Sequence, residues 1–254
     1  MLAELSLKLR SEHELGFWHS SLLQGVLMEH ASKAFAEKMH ETGLHPYSQC
    51  VLVDHSKNVI WKIRTVDDEA YKGILEPWLS PTLKTFKIEK LDASVEIVER
   101  VLVTRDNGDL LERFYSGETD RSVRIRFDSP TAFKSNERYV FMPELHLIFG
   151  SLMRKYSTAL SDMDMTDQET LDYIIEHTHI SAYKLRSTLF PLEGAKIPSF
   201  MGEITLRFTG TDTMARYARL LLEYGEYSGV GIKTGIGMGA IKIIQGGKDE
   251  RKND

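Results

Sequence analysis

The sequence predicts an α+β chain built as two tandem domains of one kind. Three observations carry that expectation. The 254 residues exceed a typical single domain of roughly 100–150 residues. Over residues 1 to about 110, apolar spacing alternates between period 2 and period 3.6 in the order β-α-β-β-α-β, the ferredoxin-like order. After a polar stretch the alternation starts again.

Leu2 to Arg10 alternates apolar and polar residues through Leu5, Leu7 and Leu9, as a strand with one buried face does. Ser20 to His40 then sets Leu23, Val26, Leu27, Ala31, Ala34, Phe35 and Met39 at three- and four-residue spacing. This predicts one helix, with Gly43 placed to stop it. Cys50 to Val53 and Val59 to Ile63 read as a hairpin turning through Asp54 to Asn58, and Val66 to Leu79 reads as helical. Phe86 to Val103 supplies the closing strand. Arg113 to Arg121, rich in Ser, Gly, Glu, Thr and Asp, reads as the linker.

The second half opens with strands at Ser122 to Phe127 and Tyr139 to Phe141, followed by a helix from Pro143 to Leu160. The capping box Thr166-Asp167-Gln168-Glu169 announces a short helix. Strands at Ile180 to Phe190 and Phe200 to Thr209, a helix at Thr213 to Tyr224 and a strand at Ala240 to Ile244 complete the repeat. The expected domains are residues 1–115 and 121–254.

Hydrophobic residues at 42% and charged residues at 27% exclude disordered, collagenous and coiled-coil classes. No apolar run reaches the roughly 20 residues of a bilayer span, and the opening Met1-Leu2-Ala3-Glu4 lacks a signal peptide's basic start, so a cytoplasmic location is expected. The single Cys50 permits neither an internal disulfide nor a cysteine-paired zinc site. A net charge of −5 excludes wholesale polyanion binding, leaving only local basic surfaces. Arg121 to Tyr156, with seven basic residues against three acidic, is such a region.

Five glycines mark Gly229-Val230-Gly231-Ile232-Lys233-Thr234-Gly235-Ile236-Gly237-Met238-Gly239. The loop is no Walker A motif, because a strand rather than a helix follows it, and Thr234 stands where the dinucleotide fingerprint needs glycine. It reads either as N–H groups that, with Lys233 and Thr234, hold polynucleotide phosphates, or as a tight glycine turn at a sheet edge.

This glycine run and the strand after it resemble the C-terminal signature of the CRISPR-associated RAMP endoribonucleases that process precursor CRISPR RNA. Further resemblance lies in Leu23-Gln24-Gly25, Met39-His40-Glu41 and Pro46-Tyr47-Ser48. Asp128-Ser129-Pro130-Thr131 with Phe133-Lys134, and Ile197-Pro198-Ser199-Phe200 with Gly202, are similar to members attached to type III-A systems. The resemblance covers most of the chain. It implies two RRM-like domains and metal-independent cleavage of CRISPR repeat RNA, leaving a 2′,3′-cyclic phosphate and a 5′-hydroxyl, with no cofactor and no metal.

A histidine can deprotonate a 2′-hydroxyl or protonate a departing 5′-oxygen at neutral pH, and one at a helix end before a glycine turn can reach a bound phosphate. His40 fits that place better than His30 or His55. The His40 and His45 pair is spaced by five with a glycine between, which excludes the zincin motif. The resemblance makes His40 the general acid–base. Relatives often add a tyrosine in the first helix and a lysine after it, where this chain has Met28 and the region of Leu44 and His45. His45, Tyr47 or Ser48 are therefore the expected supporting residues.

Arg124 and Arg126, two apart in a strand, project from one face, and Lys184 and Arg186 repeat the pattern. With Lys134, Arg154, Lys155, Lys233, Thr234 and glycines 229, 231, 235 and 237 they form the expected RNA path. A homodimer and a transient contact with a type III effector complex are the further partners expected, with no membrane. The rival readings are a non-catalytic RNA-binding subunit of an effector complex, and a mononucleotide-handling enzyme that would saturate with ATP or GTP and Mg²⁺.

Overall fold

The computed structural model describes residues 1–41, 43, 45–161, 167–192 and 194–244, with the side chains at positions 40, 41, 160 and 161 outside that description. Strand β1 (Leu2–Ser11) alternates as its leucines require: Leu5 and Leu7 are fully buried while Arg10 is exposed. Helices α1 (Ser20–His30) and α2 (Lys33–Glu41) lead to the hairpin β2 (Tyr47–Val53) and β3 (Val59–Thr65). Short α3 (Asp68–Ala70) continues through a π turn, Tyr71–Leu75, and a 3-10 turn, Glu76–Leu79. Strands β4 (Thr85–Ile88) and β5 (Ala93–Arg105) close an antiparallel sheet ordered β2-β3-β1-β5-β4, and α4 (Asn107–Ser116) follows.

The second sheet is ordered β11-β6-β10-β9, from β6 (Ser122–Thr131), β9 (Thr178–Leu192), β10 (Ala195–Phe208) and β11 (Ile241–Ile244). Between them lie a small hairpin, β7 (Phe133–Ser135) and β8 (Arg138–Val140), and helices α5 (Leu145–Ser161), α6 (Gln168–Glu176) and α7 (Asp212–Ser228). Without the extra edge strand β4, both sheets share the ferredoxin-like order, the first strand lying between the third and the last. Each sheet packs its apolar face on its own helices, giving one core around Leu5, Trp61 and Trp78 and another around Ile125, Phe149 and Leu221. Leu2 of β1 and Val66, just past the end of β3, join the second core, so the two halves share apolar burial.

Three expectations are corrected. The single helix over Ser20 to His40 is two, because Ala31 is extended and Ser32 N–H donates to Gly73 O at 2.8 Å. The break lets Phe35 dock so tightly on Gly73 that a β-carbon there would meet it at 2.6 Å. The strand expected over Phe86 to Val103 is interrupted by the turn Glu89–Leu91 and left-handed Asp92. The expected linker is helical through Ser116. Asp106 caps α4 by accepting from Gly108 N–H at 2.6 Å, and Leu110 anchors it in the second core.

Candidate active site

The end of α2 and the turn after it meet the second half of the chain at a cavity of about 580 Å³. Met39, Gly43, His45 and Pro46 form one wall, and Lys155 and Thr158 of α5 with Tyr224 and Ser228 of α7 form the other. The turn is pinned because Val66 N–H donates to Pro46 O at 3.0 Å. The base of the cavity carries Asp67, whose carboxyl burial pushes above its ordinary range although Ala70 N–H donates to it at 2.6 Å.

The expected catalytic residues separate. Residue 40 follows Met39 in the last turn of α2, and the His40 side chain lies outside the described residues. His45 is exposed on the cavity wall with its ring 5.6 Å from that of Tyr47. Tyr47 itself is 2% exposed and does not line the cavity. Its ring and hydroxyl stand 3.1 Å from where a β-carbon of Gly235 would sit, and burial raises its pKa against the hydroxyl's bond to Gln24. The Tyr47 ring thus packs beneath the turn, away from the cavity wall.

Lys155 also differs from the expected surface contact. Its ammonium is buried and donates to Ser228 O at 3.1 Å, Gly229 O at 3.0 Å and Thr234 Oγ1 at 3.2 Å. Desolvation, assisted by Arg154, lowers its pKa to about 7. Lys155 therefore ties α5 to the glycine run as well as lining the cavity.

The glycine run is a packed junction. Gly229, Gly231, Gly237 and Gly239 take positive φ, as does Lys233. Ile232 N–H donates to Ala132 O at 3.1 Å, Gly239 N–H to Pro130 O at 3.0 Å, and Gly231 N–H to Ser151 Oγ at 2.9 Å. A β-carbon on Gly237 would stand 2.2 Å from Ser20 Cβ. Of the two readings open from the sequence, these N–H groups have the bonding of a tight turn, donating within the chain. Gly229, Thr234, Gly235 and Gly237 are buried, and Lys233 is exposed.

The basic expectations fall on three surfaces. Arg126 and Lys184 both lie opposite Glu203, and Arg124 two residues along β6 shares their face of the second sheet. Lys242 of β11 extends that row beside Arg126, a residue that neither composition nor motif singled out. Arg126 is bonded to Asp128, and Arg186 reaches Met201 Sδ at 3.5 Å. Lys134 lies on the β7–β8 hairpin and Arg154 on α5, both exposed.

A site shared by two ferredoxin-like halves, with a glycine junction before the last strand, defines the class: a two-domain RAMP protein. Residues 125–241 match the family described as CRISPR-associated endoribonuclease Cas6. A protein of that name from Streptococcus thermophilus is 35% identical over 230 residues, 90% of each chain. Its counterpart from Mycobacterium tuberculosis is 34% identical over 221 residues, 87% of this chain and 70% of that protein. Among solved structures, Thermus thermophilus Cas6 superposes with a TM-score of 0.71 at 24% identity, covering 96% of this chain and 98% of that one. A Cas6 product complex superposes with a TM-score of 0.76 at 22% identity, covering 96% and 100%. The chain belongs to the CRISPR-associated endoribonuclease Cas6 family. No helix among the described residues is long and apolar enough to cross a membrane.

Proposed function

We propose that this chain cuts CRISPR repeat RNA in precursor transcripts to generate guide RNAs, by a transesterification that needs no metal. The observation that carries the reading is the shared cavity. Its wall includes exposed His45 and Met39, the neighbour of His40, and it opens between two halves of an endoribonuclease fold. The 2′-oxygen upstream of the cut loses its proton and attacks the adjacent phosphorus, the P–O5′ bond breaks, and the departing 5′-oxygen takes a proton. The products are a 2′,3′-cyclic phosphate and a 5′-hydroxyl. His40 moves one of those protons and His45 is positioned to support it. The basic row of Arg124, Arg126 and Lys184 carries backbone phosphates toward the site.

Residues 1–115 and 121–254 are the two domains in this reading, working in the cytoplasm and releasing product to a type III effector complex through a transient contact. The test is incubation with the repeat RNA in EDTA, alongside substrates with 2′-deoxy at each candidate position. One cut, blocked by one 2′-deoxy and ending in a cyclic phosphate, supports the reading. His40→Ala then lowers the cleavage rate by about 10²–10⁴-fold while RNA affinity stays within about twofold. Tight binding with no cut by the unaltered protein would make it an RNA-holding subunit instead.

A further inference from the structure

Strand β9, outermost in the second sheet, carries different chemistry on its two faces. Its pairing with β10 sets Tyr183 opposite Ile204, Leu185 opposite Gly202 and Ser187 opposite Phe200, so these residues share the face that buries Ile204 and Phe200. Lys184 and Arg186 alternate onto the other face, with Arg124 and Arg126. A core-side row is expected to be covered, yet Tyr183 is 75% exposed. Beside it, the segment joining β8 to α5 leaves Phe141 at 43% and Met142 at 59% exposure. Single exposed apolar residues are ordinary, but three large ones at one place mark a contact site.

A trough of about 520 Å³ lies between them, within the roughly 300–1,000 Å³ of small-ligand pockets. Its walls share no residue with the cavity beside His45. Tyr183 and Phe141 supply aromatic surface, and Leu185 and Phe200 aliphatic and ring carbon. Glu144, half-exposed and 3.6 Å from His146 Nδ1, adds a carboxylate to the wall, and Arg186 reaches the same trough.

This lining discriminates among occupants. A phosphate is repelled by Glu144, and an aliphatic segment of a partner protein has no use for Glu144 or for the cations of β9. An unpaired nucleobase uses all three parts, stacking on aromatic rings, donating from its Watson–Crick edge to a carboxylate and leaving its phosphates to nearby cations. Guanine matches best, because its N1–H and N2–H donors stand side by side as the two carboxylate oxygens do.

We propose that this trough takes one unpaired guanine of the RNA substrate, stacked against Tyr183 and Phe141 and read by Glu144, while Lys184 and Arg186 hold the flanking phosphates round the open edge of β9. The inference rests on the repeat-RNA reading above and adds a base-reading site to it.

The test is fluorescence anisotropy on the full chain with repeat RNA blocked at the cut by 2′-deoxy. Tyr183→Ala and Phe141→Ala should each raise Kd by about tenfold. Their melting temperatures should not change, because both side chains are exposed. Tyr183→Phe should bind as the unaltered protein does. Replacing the unpaired guanines one at a time by abasic sites should reveal one position that costs the unaltered protein the same factor and costs Tyr183→Ala nothing more. Inosine at that position, which lacks the N2 amine, should weaken binding by about three- to tenfold, and Glu144→Gln should abolish the difference. Unchanged affinity in both aromatic variants, the result of a trough that seats a protein segment, overturns the proposal. So does an abasic series with no such position, or an inosine penalty that Glu144→Gln retains. Cutting by the unaltered protein with unchanged Kd in the variants sinks this inference alone, whereas base-dependent binding with no cut sinks the cleavage reading and leaves the guanine site standing.

Discussion

The ammonium of Lys155 fills three acceptors, two of them main-chain carbonyls at the end of α7 and the start of the glycine run. Lys155→Met keeps the buried stem but strands those carbonyls, and should cost about 1–3 kcal/mol in urea unfolding. Because its pKa falls to about 7 in the fold from 10.5 unfolded, the unfolded chain holds more protons between those values. The stability of the unaltered protein, relative to Lys155→Met, should therefore rise as pH goes from 7 to 10.5; a flat difference would count against it. Glu4 behaves oppositely. Burial raises its pKa, but Arg64 and Lys62 at 2.6 Å each outweigh that and bring it to about 2. Its contribution is full above pH 4.5 and is lost as pH falls from 4.5 to 2. Glu4→Gln should remove that acid dependence and, by leaving the buried Arg64 guanidinium uncompensated, cost about 3–5 kcal/mol at neutral pH.

At the scale of elements, the glycine run separates positions by what surrounds them. Gly231 has positive φ and only 2.3 Å between a β-carbon and Ala132 O, and Gly237 is equally confined by Ser20. Gly235 has ordinary φ and a 3.1 Å approach to the Tyr47 ring. Alanine at 231 or 237 should therefore lower stability by about 2–4 kcal/mol, and alanine at 235 by clearly less, as judged by thermal or urea unfolding. The run itself was legible because five glycines in eleven residues are a local signal. The choice between a phosphate-holding loop and a tight turn was not, since the acceptors at Pro130, Ala132 and Ser151 lie about 80 to 110 residues earlier in the chain. The break between α1 and α2 escaped for the same reason: Phe35 meets Gly73 only after the chain has turned through two strands. Only the last turn of α4, Arg113 to Ser116, was read as linker, because the contacts that hold the helix, Leu110 and Phe114 on the second core, are made with distant residues.

At the scale of the molecule, strand order was legible because period-2 alternation marks every strand that buries one face, and the ferredoxin-like order then leaves little freedom in pairing. The meeting of the halves was not, because it depends on residues with no local signature. Ser48 Oγ donates to Tyr227 O at 2.5 Å, and Glu223 of α7 holds Arg105 at 3.0 Å and Arg113 at 3.2 Å. With Leu2 and Val66 sharing the second core, the halves should unfold in one transition. Calorimetric and van't Hoff enthalpies that agree would show it, and two resolved transitions would refute it.

The wall that Lys155, Tyr224 and Ser228 place beside His45 has a consequence in time. A growing polypeptide emerges from its N-terminus, so the turn after α2 is made long before α7, whose Tyr224 and Ser228 complete the cavity. The last described strand, β11, must also arrive before the edge of the second sheet beside β6 is covered. A nascent or prematurely ended chain therefore carries His45 with no opposing wall, and on the proposed reading cleavage switches on only as synthesis closes.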